Sequence, residues 1–341
     1  TAIEAINNSG APVVSVDVPS GMDVDTGETP GVAVAADRVV TFHDLKPGLA
    51  DREDVTVANI GIPPAAERFV GPGDRQRLSR PADAHKGDFG RVLVVGGGPY
   101  TGAPGLAAQA ALRAGADLAT VLAPETVADQ VQGFSEDLIV HGLPGSKIET
   151  THVEEILDRA RDQDVVVLGP GLGEAAVTRE AVQAFLADYS GSAVLDADAI
   201  QAVPGTETQA ELILTPHRGE FRELGGEPAT DRASWADAAG AVATDLDQTV
   251  LLKGPQDVIT DGERTRINRT GNPGMTVGGT GDVLAGVTGA MFATLDPVPA
   301  GALGAYLTGT AGDLAATGRD GGLLASDLLE TLPAALTGEQ A

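Results

Sequence analysis

Cysteine is missing from the 341-residue sequence, and so is any long apolar run. Without cysteine, the chain can form no disulfide, no thiolate zinc site and no cysteine nucleophile. No stretch of about eighteen uncharged apolar residues is present, and the first residues lack the basic and then apolar pattern of a signal peptide. We therefore expect a soluble, cytoplasmic protein without a membrane-spanning segment.

Lysine is the next scarce residue. Only four of the 22 basic residues are lysines, against 49 acids, and the formal net charge is −27. Such an acidic surface repels nucleic acid and anionic lipid, so we expect neither as a partner. It also repels itself unless salt screens the charges, which favours a salt-rich cytoplasm such as that of halophilic archaea. Acidic solubilisation at ordinary salt is the alternative.

The few lysines that are present stand out. Lys86 and Lys253 lie in glycine-rich apolar segments, HKGDFG and LLKGPQD, and are candidates for functional residues. Lys147 lies in a polar loop and is not a candidate.

The apolar pattern divides the chain into two blocks. Apolar residues make up 42% of the sequence, which is enough for a sizeable core. Residues 1–72 contain three strand-like runs with only short helical pieces, which makes a poor independent core. Residues 73–80 belong to a segment rich in Gly, Pro and Arg and are predicted to be a linker.

Residues 81–341 alternate apolar strands with helices. This pattern is typical of a parallel sheet covered on both faces. The predicted strands are 91–96, 117–122, 164–169, 193–196, 211–214 and 249–253. The predicted helices include 103–114, 174–188, 231–245, 280–293, 299–317 and 325–336. An Asp-Gly turn is predicted to join 257–260 and 264–267 as a hairpin. The sequence thus predicts an α/β fold with a mostly parallel sheet.

The strongest chemical feature is the loop formed by Gly278, Gly279, Thr280 and Gly281, which runs directly into a helix near Asp282. Small residues let backbone N–H groups approach an anion, and the N-terminus of the helix adds a favourable dipole. A carboxylate beside a bound phosphate is repelled by it, so Asp282 fits a base that takes a proton from an attacking hydroxyl. The alternative is that Asp282 only caps the helix.

A second glycine-rich segment, 96–105, follows the first strand of the larger block. Its spacing departs from the dinucleotide-binding pattern G-x-G-x-x-G, because Thr101 occupies the third glycine position. No P-loop pattern occurs anywhere in the sequence. Gly102, Ala103 and Gly105 still let a flat ligand lie close to the backbone.

Further strand ends carry small or polar residues, at the edge where open parallel sheets bind ligands. These are the loop 169–173, Asp196 with Asp198, His217 with Glu220, and Lys253. Asp198 is equally well explained as a helix cap, and a lone histidine such as His217 is more often structural.

Six segments, taken in order, resemble the NAD(P)H-hydrate dehydratase family. They are HKGDFGRVLVVGGGPYTGAPGLAAQAALRAGADLATV, GPGLG, DADAI, LTPHRGEF, LLKG and GNPGMTVGGTGDVLAG, and the resemblance covers about 81–340. It implies a ribokinase-like fold and an enzyme that dehydrates the 6S form of hydrated NADH or NADPH. The family uses ADP, or ATP in eukaryotes, and releases AMP and phosphate, with Mg²⁺ as cofactor.

The resemblance also implies roles for individual residues. The hydrated cofactor would be lined by Ala103, Gly171, Gly173 and His217. The adenine nucleotide would be held by Lys253, Gly254, Pro255, Gln256, Asp257 and Gly281. Asp282 would face the substrate hydroxyl as the catalytic base. The ligands of Mg²⁺ and a role for Lys86 are not implied.

The first block resembles the C-terminal part of the Rossmann-like NAD(P)H-hydrate epimerase domain. The resemblance is carried by VVSVDVPSGMDVDTG and VTFHDLKPGL. It implies that Asp17 contacts the hydrated nucleotide and that Ser20 helps to hold K⁺. The family's earlier nucleotide-binding loops and the rest of its potassium site have no counterpart here, so we expect no epimerase activity from this chain.

Two other classes of function share these features. A ribokinase-like kinase for a sugar or hydroxyethylthiazole would have the same fold and glycine loop, and would release a stable phosphorylated product. A non-catalytic nucleotide-binding or scaffold protein would not need Asp282 beside an anion site. For the dehydratase we expect small-molecule partners, namely hydrated NADH or NADPH and ADP, and a homo-oligomer.

Overall fold

The computed structural model describes residues 1–78, 80–81, 83–227, 229–318 and 321–338, except for the side chains of Pro64, Ala65 and Arg232. Contacts between residues divide the chain into two compact units, Thr1–Glu67 and Arg68–Ala341. Within the described ranges, no helix is both long and apolar enough to cross a bilayer.

The smaller unit is built on a three-stranded parallel sheet in the order β1 (Val14–Val16), β2 (Arg38–Phe42) and β3 (Val55–Ala58). Two short helices, α1 (Ala2–Asn7) and α2 (Pro64–Glu67), complete it. Its centre is the inward side of β2, where Val39 and Thr41 are fully buried. The apolar core of this unit is therefore small.

The larger unit contains a nine-stranded sheet. Its order is β12-β11-β10-β9-β8-β7-β4-β5-β6, and all neighbours are parallel except the pairs β10–β11 and β11–β12. The strands are β4 (Arg91–Val95), β5 (Leu118–Pro124), β6 (Ile139–Leu143), β7 (Val165–Leu168), β8 (Ser192–Leu195), β9 (Glu211–Leu214), β10 (Thr249–Leu252), β11 (Asp257–Thr260) and β12 (Thr265–Asn268). The strands β7 and β10 are buried along their whole length, and β4, β8 and β9 at all but their first residue, as expected where helices cover both faces.

Helices cover both faces of this sheet. They are α3 (Gly102–Arg113), α4 (Glu125–Gln132), α5 (Val153–Ala160), α6 (Ala176–Asp188), α7 (Arg218–Glu223), α8 (Arg232–Leu246), α9 (Thr280–Phe292), α10 (Pro297–Ala316) and α11 (Ala325–Thr337). One apolar core lies between the sheet and α3, α9, α10 and α11. A second core lies on the other face, against α5, α6 and α8. The predicted sheet with helices on both faces is confirmed.

Residues 68–78 differ from the linker predicted for 73–80. Phe69 forms a parallel bridge with Ile267 of β12, and Val70 is buried in the core of the larger unit. Asp74 accepts from Nη2 of Arg266 at 2.9 Å. The Gly and Pro residues here open a 3₁₀ helix, Pro72–Arg77, that packs onto the larger unit. The contact boundary therefore falls before Arg68, while residue 79 lies outside the described residues.

Candidate functional site

Five neighbouring parallel strands end at one edge of the sheet. In spatial order they are β10, β9, β8, β7 and β4. The residues that follow them are Lys253, Thr215, Asp196, the loop 169–173 and the loop that begins at Gly96. Because the strands are parallel, residues far apart in sequence come into contact at this edge, such as Lys253 with Asp196, 57 positions away, and Gly97 with Pro170.

The glycine loop 278–281 lies at the N-terminus of α9. Gly279 is the N-cap, with a φ of 97°, and a β-carbon there would lie 2.8 Å from Cδ1 of Leu106 and 2.9 Å from Cβ of Ala325. The hydroxyl of Thr280 donates to the carbonyl of Met275 at 2.8 Å, which closes the loop. No side chain in the described residues caps α9, so the first N–H groups of this helix are available to an anion.

Asp282 lies in the first turn of α9 and is partly buried. None of the described residues donates a hydrogen bond to its carboxylate. Asp282 therefore does not cap the helix, which was the alternative role predicted for it. Burial raises the pKa of Asp282 to about 7, with help from the charge of Asp196 and against the opposing effect of Lys253. A carboxyl group in this range can accept a proton near neutral pH.

Lys253 is held between acidic groups at the same edge. Its Nζ donates to Oδ1 of Asp196 at 2.8 Å and lies 3.8 Å from Oε2 of Glu220. Asp196 is 2% exposed and also accepts from the hydroxyl of Thr215 at 2.7 Å. Burial lowers the pKa of Lys253, but the carboxylates of Asp196 and Glu220 outweigh it and raise the net value. Lys253 is therefore a fixed ammonium group whose side chain is 20% exposed.

This ammonium group reaches the anion loop. A β-carbon on Gly281 would lie 3.5 Å from Nζ of Lys253 and 3.9 Å from Oδ2 of Asp196. The lysine and the first turn of α9 thus face the same space. A phosphoryl group placed there would meet both a cation and backbone N–H groups.

His217 and Glu220 form a reciprocal cap on α7. Nδ1 of His217 accepts from the N–H groups of Gly219 and Glu220, both at 3.0 Å, while Oε2 of Glu220 accepts from the N–H of His217 at 2.7 Å. Nδ1 is thus committed to a structural role, and the side chain of His217 is 61% exposed. Burial raises the pKa of Glu220, although Lys253 opposes the shift.

Two of the residues predicted to line the hydrated-cofactor site, Ala103 and Gly171, lie together. A β-carbon on Gly171 would be 3.1 Å from Cβ of Ala103, at the start of α3. The N–H of Gly173 donates to Oδ2 of Asp198 at 2.7 Å. Asp198 therefore anchors the loop 169–173 rather than capping a helix, and burial raises its pKa despite this hydrogen bond.

The segment 253–257 forms a tight turn between β10 and β11. Oδ1 of Asp257 accepts from the N–H of Gly254 at 3.1 Å, and Oδ2 accepts from Nδ2 of Asn268 at 3.0 Å. Burial raises the pKa of Asp257, and these hydrogen bonds oppose the shift. The Asp257 carboxylate therefore shapes the turn, while Gly254, Pro255 and Gln256 line an adjoining cavity.

In the smaller unit, one oxygen of the Asp17 carboxylate is engaged in internal contacts, while the side chain is 45% exposed. Oδ1 accepts from the N–H of Phe42 at 3.2 Å and from the hydroxyl of Thr41 at 3.0 Å, and Nζ of Lys46 lies 3.4 Å away. The N–H of Phe42 has the largest part in lowering the pKa of Asp17. Ser20 is exposed, and its carbonyl accepts from Val34.

No group of three or more His, Asp or Glu residues in the described part of the chain could hold a metal ion. Magnesium commonly binds through one or two carboxylates together with substrate phosphates. The acidic edge described above is compatible with that mode of binding, and it provides no cage made of protein ligands alone.

Sequence reasoning missed part of this site. Thr215 was not predicted, and neither were Arg218 and Trp235, which line the cavity beside Gly254. A signal was available for Trp235, because it is the only tryptophan in the chain. Thr215 offered none, since its role depends on the neighbouring strand.

Comparison with known proteins gives a consistent result. The family model for NAD(P)H-hydrate dehydratase matches residues 92–334, and the one for the YjeF-related protein N-terminus matches residues 1–48. A bifunctional NAD(P)H-hydrate repair enzyme from Pyrobaculum aerophilum is 46% identical over 346 residues, which cover 98% of this chain and 69% of that protein.

Solved structures agree on the fold. A ribokinase-like superfamily protein from Enterococcus faecalis superposes with a TM-score of 0.70 at 26% identity, over 80% of this chain and 95% of its own. The ADP/ATP-dependent NAD(P)H-hydrate dehydratase of Bacillus subtilis, co-crystallised with ATP and Mg²⁺, gives a TM-score of 0.66 at 28% identity, over 78% and 95%. The predicted ribokinase-like fold is confirmed, and the chain belongs to the NAD(P)H-hydrate dehydratase family.

Proposed function

We propose that the protein repairs damaged nicotinamide cofactor by dehydrating the 6S form of hydrated NADH or NADPH at the expense of ADP. The observation that carries the proposal is the position of Asp282. It is a partly buried carboxyl group, with its pKa raised to about 7, at the N-terminus of α9 and facing the same edge as Lys253. Family membership supplies the class of substrate.

The first step is transfer of a phosphoryl group. Asp282 accepts the proton of the C6 hydroxyl of the substrate while that oxygen attacks the β-phosphorus of ADP. The bond from this phosphorus to the bridging oxygen breaks, and AMP leaves. The ammonium group of Lys253 and the N–H groups of the loop 278–281 stabilise the negative charge on the phosphoryl group as it moves.

The second step is elimination. Hydroxide is a poor leaving group, whereas phosphate is a good one. The lone pair of the ring nitrogen expels phosphate from C6, and loss of a proton from C5 restores the double bond of the reduced nicotinamide. The net products are NADH or NADPH, AMP, phosphate and a proton. Bound Mg²⁺ would neutralise charge on the nucleotide phosphates.

The test is direct. Purified protein is incubated with hydrated NADH and ADP, and the near-ultraviolet absorbance of reduced nicotinamide is followed while AMP and phosphate are quantified. We expect recovery of NADH with one AMP and one phosphate per turnover. A stable phosphorylated product without NADH would instead identify a ribokinase-like small-molecule kinase. ATP in place of ADP decides the nucleotide preference in the same assay.

For the smaller unit we propose no isomerase activity in this chain. The support is that Oδ1 of Asp17 is already held by Thr41 and Phe42 and lies beside Lys46, which leaves one carboxylate oxygen for a ligand. Purified 6R hydrate should therefore convert to the 6S form no faster with the protein than without it, with or without K⁺. Rapid conversion that depends on the protein would contradict this.

A further inference from the structure

A second cavity, of about 310 Å³, lies at the same edge of the sheet as the proposed reaction site. Its lining residues follow the strands β7, β4, β5 and β6, whereas Lys253 follows β10, several strands away. Sites for small molecules begin at about 300 Å³, so this cavity has room for part of a nucleotide. No step of the proposed mechanism uses it.

One side of the cavity offers a positive charge and two hydroxyl groups. They belong to Lys147, Ser146 and Thr126. Although the chain has 49 acids, no carboxylate in the part of the chain that the structure describes lies within ion-pair distance of Lys147. The two hydroxyl groups likewise make no hydrogen bond with any described residue. Ammonium and hydroxyl groups donate to phosphate oxygens, so this side suits a phosphate group.

The loop that carries Lys147 is held in place on both sides of it. The N–H of Gly145 donates to Oε1 of Glu125 at 2.9 Å, and Ile148 is buried in the apolar core. The backbone of Lys147 is therefore fixed at the cavity, while its exposed side chain is free to meet an anion.

The β7 side of the cavity carries the carboxylate of Glu174. Glu174 does not pair with Lys147, so both charges are available to a ligand. Burial raises the pKa of Asp198, and the nearby charge of Glu174 adds to this shift, which places Glu174 beside the loop 169–173. In nucleotide sites an acidic side chain accepts from ribose hydroxyls, and a basic one accommodates a 2′-phosphate. The cavity thus has both groups that a phosphorylated ribose needs.

The position of the cavity relates it to the hydrated cofactor. Gly173 lines it and belongs to the loop 169–173, which packs on Ala103 at the start of α3. The same helix approaches the start of α9, since a β-carbon on Gly279 would lie 2.8 Å from Cδ1 of Leu106. ADP that reaches Lys253 occupies the β10 side of Asp282. The rest of a dinucleotide whose nicotinamide ring reacts at Asp282 must therefore extend toward the β4–β6 side.

We propose that this cavity binds the phosphorylated ribose of hydrated NADPH. Lys147 and the hydroxyl groups of Ser146 and Thr126 bind the 2′-phosphate, and Glu174 accepts from the 3′-hydroxyl of the same ribose. The enzyme then prefers hydrated NADPH to hydrated NADH, which lacks this phosphate. The inference rests on the proposed function for the class of substrate. It adds Lys147, whose polar sequence context indicated no role, as the residue that determines this preference.

The two hydrates differ only in the 2′-phosphate, so their affinities test the proposal. Each is titrated by calorimetry at one salt concentration and without ADP, so that no turnover occurs. The wild-type protein should bind hydrated NADPH about tenfold or more tightly than hydrated NADH, because a charge-assisted contact is lost in the second. In Lys147→Gln the two affinities should become equal within about twofold, through loss of affinity for hydrated NADPH alone.

Arg113→Gln is the matched control. It removes the same charge from an exposed side chain, but Arg113 lies at the opposite end of α3 from the site. The preference for hydrated NADPH should be unchanged in this variant. Because Lys147 is exposed, Lys147→Gln should keep the melting temperature of the wild-type protein and its affinity for ADP.

The outcomes are distinct from those of the functional test. Equal affinities of the wild-type protein for the two hydrates, or an unchanged preference in Lys147→Gln, would overturn the proposal even if turnover is normal. Equal weakening of both hydrates would place Lys147 at the diphosphate that they share, and would overturn it as well. The expected binding pattern without recovery of NADPH would contradict the proposed function and support the cavity. Binding of neither hydrate would contradict both.

Discussion

Burial and the neighbouring charge of Asp196 raise the pKa of Asp282 to about 7. Substitution of Asp282 tests its role as the catalytic base. Asp282→Asn keeps the size of the side chain, so the helix and loop should persist. Asparagine does not accept a proton from the substrate hydroxyl, and loss of a general base typically lowers turnover about 10²- to 10⁴-fold. ADP affinity should be kept or slightly increased, since a negative charge near the phosphates is removed. Turnover and calorimetric ADP affinity are measured at one salt concentration.

The matched control is Asp198→Asn, which removes a nearby carboxylate that anchors Gly173. It should raise the KM for the hydrated cofactor more than it lowers kcat. Turnover of Asp282→Asn within threefold of wild type would contradict the catalytic role of Asp282 and the mechanism built on it.

The pH dependence follows from the same carboxyl group. With a pKa of about 7, Asp282 is protonated and inactive as a base at acidic pH, so kcat/KM should rise about tenfold per pH unit below 7 and level off above it. The charged groups that face it are Asp196, Lys253 and Asp198. Asp196→Asn removes a repelling charge and should move the midpoint of this limb to lower pH. If kcat/KM of the wild-type protein instead rises with a midpoint near about pH 4, Asp282 is not the base with a pKa of about 7.

The raised pKa of Asp282 also makes the stability of the protein depend on pH. The folded state binds the Asp282 proton more tightly than the unfolded state does. The resulting stabilisation is full below the ordinary range of aspartate and is lost as the pH rises through about 7. Asp282→Asn should therefore be more stable than wild type above pH 7 and should lose that advantage in acid.

At this scale the sequence predicted that the glycine loop 278–281 leads into a helix that begins near Asp282, because a glycine run before a helix is a local pattern. It did not predict the Lys253–Asp196–Thr215 contacts. Asp196 and Lys253 are 57 residues apart and meet only because β8, β9 and β10 are neighbours in the sheet. The sequence also did not predict the hydrogen bond from Asn268 to Asp257, because this contact depends on the pairing of β11 with β12.

Among the elements, α3 and α9 approach each other closely enough to exclude a side chain. A β-carbon on Gly286 would lie 2.7 Å from the carbonyl carbon of Ala107. Gly286→Ala should therefore force the two helices apart and destabilise the protein by about 1–3 kcal/mol. Because both helices begin at the proposed site, turnover should fall as well. Unfolding by denaturant measures the change in stability.

Gly240→Ala is the matched control for this prediction. Gly240 is also inside a helix, α8, but a β-carbon there would meet nothing within 4 Å. Alanine should stabilise α8 by about 0.5–1 kcal/mol through its helix propensity. If Gly286→Ala behaves like Gly240→Ala, the close approach of α3 and α9 is not a constraint on the fold.

The regular elements of the larger unit were predictable because long apolar strands and helices alternate. The strand β6 was not predicted, and it is an edge strand whose burial is incomplete. Its sequence, IVHGL, contains a glycine and a histidine and lacks a continuous apolar run. Residues 73–77 of the 3₁₀ helix Pro72–Arg77 were interpreted as part of a linker, because the packing of this helix depends on Arg266 from a distant strand.

For the whole molecule, the contact pattern makes a prediction about independent folding. We expect residues 68–341 to fold and to keep dehydratase activity without the smaller unit, since all the residues of the proposed site lie within them. Residues 81–341 should be less stable, because that fragment lacks the bridge of Phe69 to Ile267 and the Asp74–Arg266 pair. Melting temperature and turnover of the two fragments are compared. Equal stability would show that residues 68–80 contribute nothing to the larger unit.

The net charge of the whole molecule predicts that its stability depends on salt. With 49 acids against 22 basic residues, the folded protein carries a formal charge of −27, and its self-repulsion opposes the compact state. The screening length falls from about 10 Å at about 0.1 M salt to about 3 Å at about 1 M. The melting temperature should therefore rise between these two KCl concentrations. Sodium chloride at equal ionic strength is the control, because screening does not depend on the identity of the cation. A flat or falling melting temperature would contradict the halophilic interpretation of the charge and leave the chemistry at Asp282 unaffected.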